Sequence, residues 1–356
     1  MTNINELTST IQTNCHISDA LHAGNYSLCN FLLKMREYYR WENNIPLPQA
    51  LAKAEVGNWL SHREQSWETY ENLPYQHLLL ANREVDPFDA DTINKTLNKQ
   101  GYVYSGGYGV FSKPHFFLGK LENTLQIGDL TVYIANTEYA RDMVAPPAMN
   151  IGSTIFIRKE SLRRFLWEKI EEWRWKSDPN TAMGRALACY STPGIELGSE
   201  PGNDLENILN AMCNNEIKSL ILHETGETKA SELLGAQWQQ LVSEIPRSAL
   251  EFKLRAVKDH LADCLTTLPS LIETENYAAL HFYFANLTDM RKEIFPEAVA
   301  AYNNWVDTAQ ISGLQRLYKD GQSKWLSIAK TISRTLQQSS DVATENIDKL
   351  LSHGRT

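Results

Sequence analysis

The chain predicts a mainly helical protein of α+β type, with a small antiparallel β-sheet inserted in its N-terminal half and a helical bundle forming its C-terminal half. Three observations predict it. Apolar residues recur at helical spacing before residue 101 and again over most of the chain after 204. The intervening stretch, about 101–157, is rich in Val, Ile, Tyr and Phe and broken by glycines. A loop, "YSTPGIELGSEPGN" from Tyr190 to Asn203, separates the two regimes and marks the expected domain boundary.

In "YSLCNFLLKMREYYRWE", Leu28, Phe31, Leu32, Met35, Tyr38 and Tyr39 share one helical face, capped by Asn25 or Ser27. "IPLP" at Ile45–Pro48 stops that helix. Arg36 and Glu42 flank its apolar arc, whereas Glu37 lies opposite, so an interhelical ion pair of Arg36 or Glu42 is expected. A second helix is predicted over 49–70, and a third in "DPFDADTINKTLNKQ", capped near Asp86 or Asp89. "GYVYSGGYGVFSKPHFFLGKL", "TLQIGDLTVYIANT" and "STIFIRKE" read as strands, with a hairpin turn in "SGGYGVF". The helix "ESLRRFLWEKIEEWRWK" follows, with its aromatics on the apolar face. Bundle-length segments are predicted from 205 to 226 or beyond, then over 248–268, 277–295, 297–311 and 313–338, ahead of a polar tail, 339–356.

The 356 residues are 42% hydrophobic and 22% charged, a globular profile. A formal charge of -9 argues against nucleic acid as the main partner. The N-terminus lacks the basic and apolar regions of a secretory signal, and no apolar run reaches the roughly 18 residues that would span a bilayer. Five cysteines without a C-x-x-C pair suit free thiols in a reducing cytoplasm.

The stretch "NNEIKSLILHETGETKASELLG", Asn214–Gly235, carries the chemistry. At about 100° per residue, Glu216, His223 and Glu227 fall within roughly 40° of one another. Glu224 falls beside Ile217 within the apolar arc, while Lys218 and Lys229 mark the opposite side. Carboxylates on an apolar face need a cation, a hydrogen-bond donor or a metal. A His and a Glu one turn apart can reach a single ion. Gly226 inside that turn could either admit a close neighbour or weaken the helix by about 1 kcal/mol. Further ligands could come from His260 in "RAVKDHLADCLTTLP" or His281 in "LHFYFANLTDMRK". Asp259 and Asp263 point away from the Val257–Leu261–Leu265–Leu268 arc, and Arg255 stands four residues before Asp259 as an ion-pair partner. Cys15, His16, His22 and Cys29 form a weaker cluster that could hold zinc, with Asp19 and His22 on one helical turn.

Glu216-x6-His223 resembles the first ligand motif of the helical di-iron oxidases related in fold to haem oxygenase. The third-helix motif of that family has no counterpart here, since no two of the nine histidines stand seven apart. "HETGE" is similar to the zinc-protease H-E-x-x-H, with Glu227 in place of the second histidine. The strings "LCNFLLKMREYYRWE" and "LHETGETKASELLG" together resemble a bacterial protein family of unknown function, which implies a cytoplasmic protein and no particular chemistry.

The expectation is a metal-dependent enzyme acting on a small molecule: a non-haem iron or manganese oxidase or oxygenase, or a zinc hydrolase. Glu216, His223, Glu227, His260 and His281 are its candidate metal ligands, and Glu224 its catalytic acid or base. The alternative is a non-catalytic helical binding protein in which the HETGE acids form a salt-bridge network.

Overall fold

The computed structural model describes residues 3–109, 113–190, 203–245, 248–338 and 343–352. The chain divides into two compact units, Met1–Ile170 and Glu171–Thr356. The 190–203 loop lies almost wholly outside the described residues, as does the tip of the "SGGYGVF" turn at 110–112.

The first unit sets helices against a five-stranded sheet. Helix α1 (Ile4–His22) is capped by Asn3, and α2 (Leu28–Glu42) by Ser27. After α3 (Lys53–Trp67) comes a short hairpin, β1 (Leu78–Leu80) and β2 (Arg83–Val85). Asp89 accepts from the Thr92 backbone N–H and caps α4 (Ala90–Leu97). The main sheet contains β3 (Tyr102–Tyr108), β4 (Pro114–Ile127), β5 (Leu130–Arg141), β6 (Ala148–Ile151) and β7 (Thr154–Arg158), in the order β3-β4-β5-β7-β6.

Alternation along β4 builds the core. Phe116 and Leu118 face Leu7, Ile11 and Cys15 of α1, while Phe117 packs with Val103, Ala135 and Phe156 on the other side. The sheet departs from a purely antiparallel plan, because β5 and β7 pair in parallel. After β5 the chain runs through Pro146 and Pro147 to the outer edge and forms β6. It then reverses at Gly152, whose φ of 61° suits glycine, so that β7 returns between β5 and β6. Two reversals restore the original direction.

Two expectations for α2 change. Leu28 and Leu32 are exposed, whereas Glu37 is buried and paired with Arg36 and Arg40. Glu42 does form the interhelical ion pair, with Arg63 of α3. A second buried pair joins Glu138 of β5 to Arg158 of β7, with Ser161 donating to Glu138 at 2.6 Å. Burial alone would raise the Glu138 carboxyl, but the Arg158 and Arg141 guanidiniums outweigh it and hold it at about 2.

The second unit has helices and no strands among its described residues: α6 (Ala182–Ala188), α7 (Asn203–Glu244), α8 (Ala249–Ala262), α9 (Leu268–Glu273), α10 (Tyr277–Asn286), α11 (Asp289–Ile294), α12 (Pro296–Thr308), α13 (Ser312–Gln338) and α14 (Ala343–Ser352). The expected polar tail therefore contains a helix, with Ile347 and Leu351 buried in the core. Helix α13 packs against α7, α8, α12 and α14, and its Trp325 is fully enclosed. Gly235, at φ 75°, breaks α7. Helix α5 (Lys159–Arg174) spans the division between the units.

Between α8 and α9 the chain makes a π turn, Asp263–Thr267. Pro269 cannot donate to the carbonyl four residues earlier, and its ring would crowd that carbonyl in a regular helix. The Leu268 N–H instead reaches the Asp263 carbonyl, five residues back. Helix α7 touches this turn closely at Gly226, where a Cβ would lie 2.2 Å from Thr266 Oγ1 and 2.5 Å from the Ala262 carbonyl oxygen.

Gly226→Ala is expected to destabilise the protein by roughly 1–3 kcal/mol, the cost of overpacking, although helix propensity alone would favour alanine. Urea unfolding checks the sign. For Glu138, the folded carboxyl titrates below an unfolded one. Its stabilisation is complete above about pH 4.5 and lost as pH falls towards about 2. The stability difference between wild type and Glu138→Gln should therefore shrink across that window in pH-dependent unfolding.

Candidate metal centre

Helix α7 turns the HETGE segment inward as its periodicity requires. Glu216 and Glu224 are buried, and His223 and Glu227 are partly so, with 28% and 29% of their side chains exposed. The opposing elements are α8, which carries Lys258 and Asp259, the π turn, which carries Asp263, and α11, which carries Arg291.

At the centre, His223 Nδ1 lies 2.8 Å from Asp263 Oδ1, and Nε2 lies 3.5 Å from Glu227 Oε1. One ligand atom each from His223, Glu227 and Asp259 all fall within 4.8 Å of one another, making the sole such group of three or more among the described residues. Asp263 is buried and held on every side. Thr267 Oγ1 donates to it at 3.1 Å, and Arg291 pairs with its other oxygen. Arg291 also reaches the Tyr283 hydroxyl at 3.4 Å. The Lys258 ammonium donates to Glu227 Oε2 at 3.1 Å.

The electrostatics follow this wiring. Burial works against a charged His223, but Asp263 and Glu227 outweigh it and raise the imidazole well above its ordinary value. Burial likewise opposes ionisation of Glu227, yet His223 and Lys258 hold that carboxyl at about 2. Asp263 lies below the usual carboxylate range because Arg291 and His223 overcome its burial. Glu224 goes the other way. Burial, reinforced by the Glu227 charge, pushes it up to about 7. Burial also raises Asp259.

Of the expected ligands, the structure brings together only His223 and Glu227, with Glu224 beside them. Glu216 shares their face but sits about 10 Å further along the axis, since seven residues rise two helical turns. It is buried near Ser219, with one carboxyl oxygen lacking a hydrogen-bond partner among the described residues, and burial raises it to about 7. His260 neighbours Asp259 in sequence but points into the core. It stacks on Trp325 at 4.8 Å and meets Phe295 edge-on, and burial keeps it neutral. His281 stacks on Trp305 at 4.8 Å, with Nδ1 2.9 Å from the Tyr302 hydroxyl. Both histidines lie against aromatic rings and apart from the His223 group, away from the position expected of them.

Asp259 and Asp263, expected as an exposed ion pair with Arg255, instead face His223. Arg255, their expected counter-ion, pairs with Glu251. Asp263 is 1% exposed rather than solvated. The available signal was the i, i+4 spacing of two acids ahead of a proline that disturbs the helix. The N-terminal cluster does not assemble: Cys15 is buried with its Sγ on the Phe116 carbonyl, His16 faces Arg63, and Cys29 is exposed. None of the five cysteines forms a disulfide, and no described helix is long and apolar enough to cross a membrane.

Residues 6–158 match the N-terminal domain, and residues 163–354 the C-terminal domain, of a family described as "Family of unknown function (DUF6866)". No curated protein and no solved structure matches the chain.

Asp263→Asn should bring the His223 pKa down towards that of a free imidazole, read by NMR titration of the ring. It should also cost about 3–5 kcal/mol by leaving Arg291 without its buried counter-charge.

Proposed function

The chain belongs to the DUF6866 family of unknown function, and from the site's own chemistry we propose that it is a divalent-metal-dependent enzyme acting on a small molecule. The supporting observation is the convergence of His223, Glu227 and Asp259 from two helices, with the far nitrogen of His223 already held by a buried carboxylate. A metal-ligating histidine characteristically donates its other N–H to such a carboxylate, which fixes the ring and raises its basicity. Asp263 supplies that contact, and Thr267 and Arg291 fix Asp263 in turn.

One imidazole and two carboxylates form an oxygen-rich set that suits iron or manganese, with zinc also accommodated. Three protein ligands leave positions for water or substrate, and the ion would act as a Lewis acid or, if iron or manganese, as a redox centre. Glu224 is the proton carrier, because a carboxyl titrating near 7 can both accept and return a proton at neutral pH. Glu216 and His260 take no part in this reading, nor does His281.

The Lys258–Glu227 and Arg291–Asp263 pairs favour a second reading, a non-catalytic helical binding protein with a self-compensating polar network. Metal analysis of protein purified without chelator or polyhistidine tag separates the two. The enzyme reading expects about one iron, manganese or zinc per chain, the occupancy of a single three-ligand site. That metal should be lost in His223→Ala, Glu227→Ala and Asp259→Ala and kept in His281→Ala. Binding must expel the His223 Nε2 proton, so affinity should rise with pH and a proton should appear in unbuffered titrations. A folded wild-type protein that takes up none of these metals would leave the network reading in its place.

A further inference from the structure

The first unit contains a cavity of about 250 Å³ between α2, the 143–147 segment and α5. Its apolar wall includes Val144, Pro146 and Phe165. Its charged lining is three cations, Lys34, Arg141 and Arg164, against two carboxylates, Glu37 and Glu168. The charge of Glu37 is already engaged by Arg36 and Arg40, so it opposes an incoming anion weakly.

The three cations are incompletely matched. Arg141 is 3% exposed, with Glu138 3.9 Å from its Nε and the buried Asp142 carboxylate exerting a further opposite charge; its Nε donates to the Asp142 carbonyl and its Nη2 to that of Met143, but Nη1 has no hydrogen-bond partner among the described residues. Arg164 spends Nη2 on Glu160 and Nη1 on the Glu37 carbonyl, and its buried Nε likewise has none. Lys34 makes no ion pair among the described residues, and its ammonium lies 5.6 Å from the Tyr26 ring centroid. Burial lowers the Lys34 pKa despite the opposing charge of Glu168. Buried guanidinium N–H groups without acceptors are costly, and an oxyanion supplies acceptors and charge together.

We propose that this cavity binds a small organic carboxylate, its head group taken by Lys34, Arg141 and Arg164 and its short apolar body lying against Val144, Pro146 and Phe165. The volume suits a ligand of a few carbon atoms. The site is separate from the HETGE centre and stands whether or not that centre binds metal.

Isothermal titration of the full chain at constant ionic strength tests it, with butyrate as probe, butyramide as its neutral counterpart and inorganic phosphate as a competing oxyanion. Butyrate should bind one to one and butyramide should not. Lys34→Met, which keeps the apolar stem, should weaken butyrate roughly tenfold or more, as loss of one charged hydrogen bond implies. Lys34→Arg should retain binding, and both variants should unfold cooperatively without ligand, so that lost binding by Lys34→Met is not lost folding. Absence of butyrate binding, equal binding by butyramide or by Lys34→Met, or tighter binding of phosphate than butyrate would overturn the assignment.

Discussion

The ionised carboxylate of Asp263 is the constraint around which the second unit is arranged. An unpaired charge at that depth would be untenable, so the fold must deliver cations and donors to it from several directions. His223 arrives from α7, Arg291 from α11, and Thr267 from the same turn. Each contact demands a close approach of backbone segments. Gly226 permits it on the α7 side, where Thr266 donates to the Leu222 carbonyl, and Gly321 permits it on the α13 side, beside Cys264. Gln322 then satisfies the Cys264 carbonyl. The two glycines are thus steric conditions for placing one charge, and the orientation of His223 follows from that charge.

The first unit solves a related problem with different parts. Its sheet buries Glu138 between Arg158 and Arg141, and Asp19 against Lys113. Paired charges at such positions contribute little net stability, but they are intolerant of one partner's removal. Arginine is the suitable cation because its planar fork can serve a carboxylate and backbone carbonyls at once. Arg141 does so while stacking over Trp41 and Tyr38. The buried Asp142 carboxylate adds a second negative charge to this neighbourhood, acting on Arg141, Arg158 and Lys113.

Local signals were well written in the sequence. Ser27 and Asp89 cap their helices because a short oxygen-bearing side chain precedes a periodic run. The inward turn of HETGE followed from angular position, whereas Gly226 left open a close neighbour or a weakened helix, and the contact with Thr266 and Ala262 decides between them. What escaped was non-local. The parallel β5–β7 pair depends on where a hairpin inserts, which alternation cannot encode. Glu216 was grouped with His223 because angular position ignores axial rise. Asp259 was assigned to Arg255 on i, i+4 spacing, whereas the flank of α8 opposite its apolar arc faces α7 rather than solvent. His260 looked like a ligand until two aromatic rings from distant segments enclosed it.

The wide turn at 263–267 works as a shim. It takes up an extra residue beside Pro269, so that the segments before and after it meet their neighbours in different angular registers. Removing one residue there would swing everything downstream by about 100° about the axis, carrying Leu268 and Leu271 out of the core. Length in this short segment is therefore more tightly restricted than residue type, and relatives should vary in the chemistry of its side chains before they vary in its number of residues.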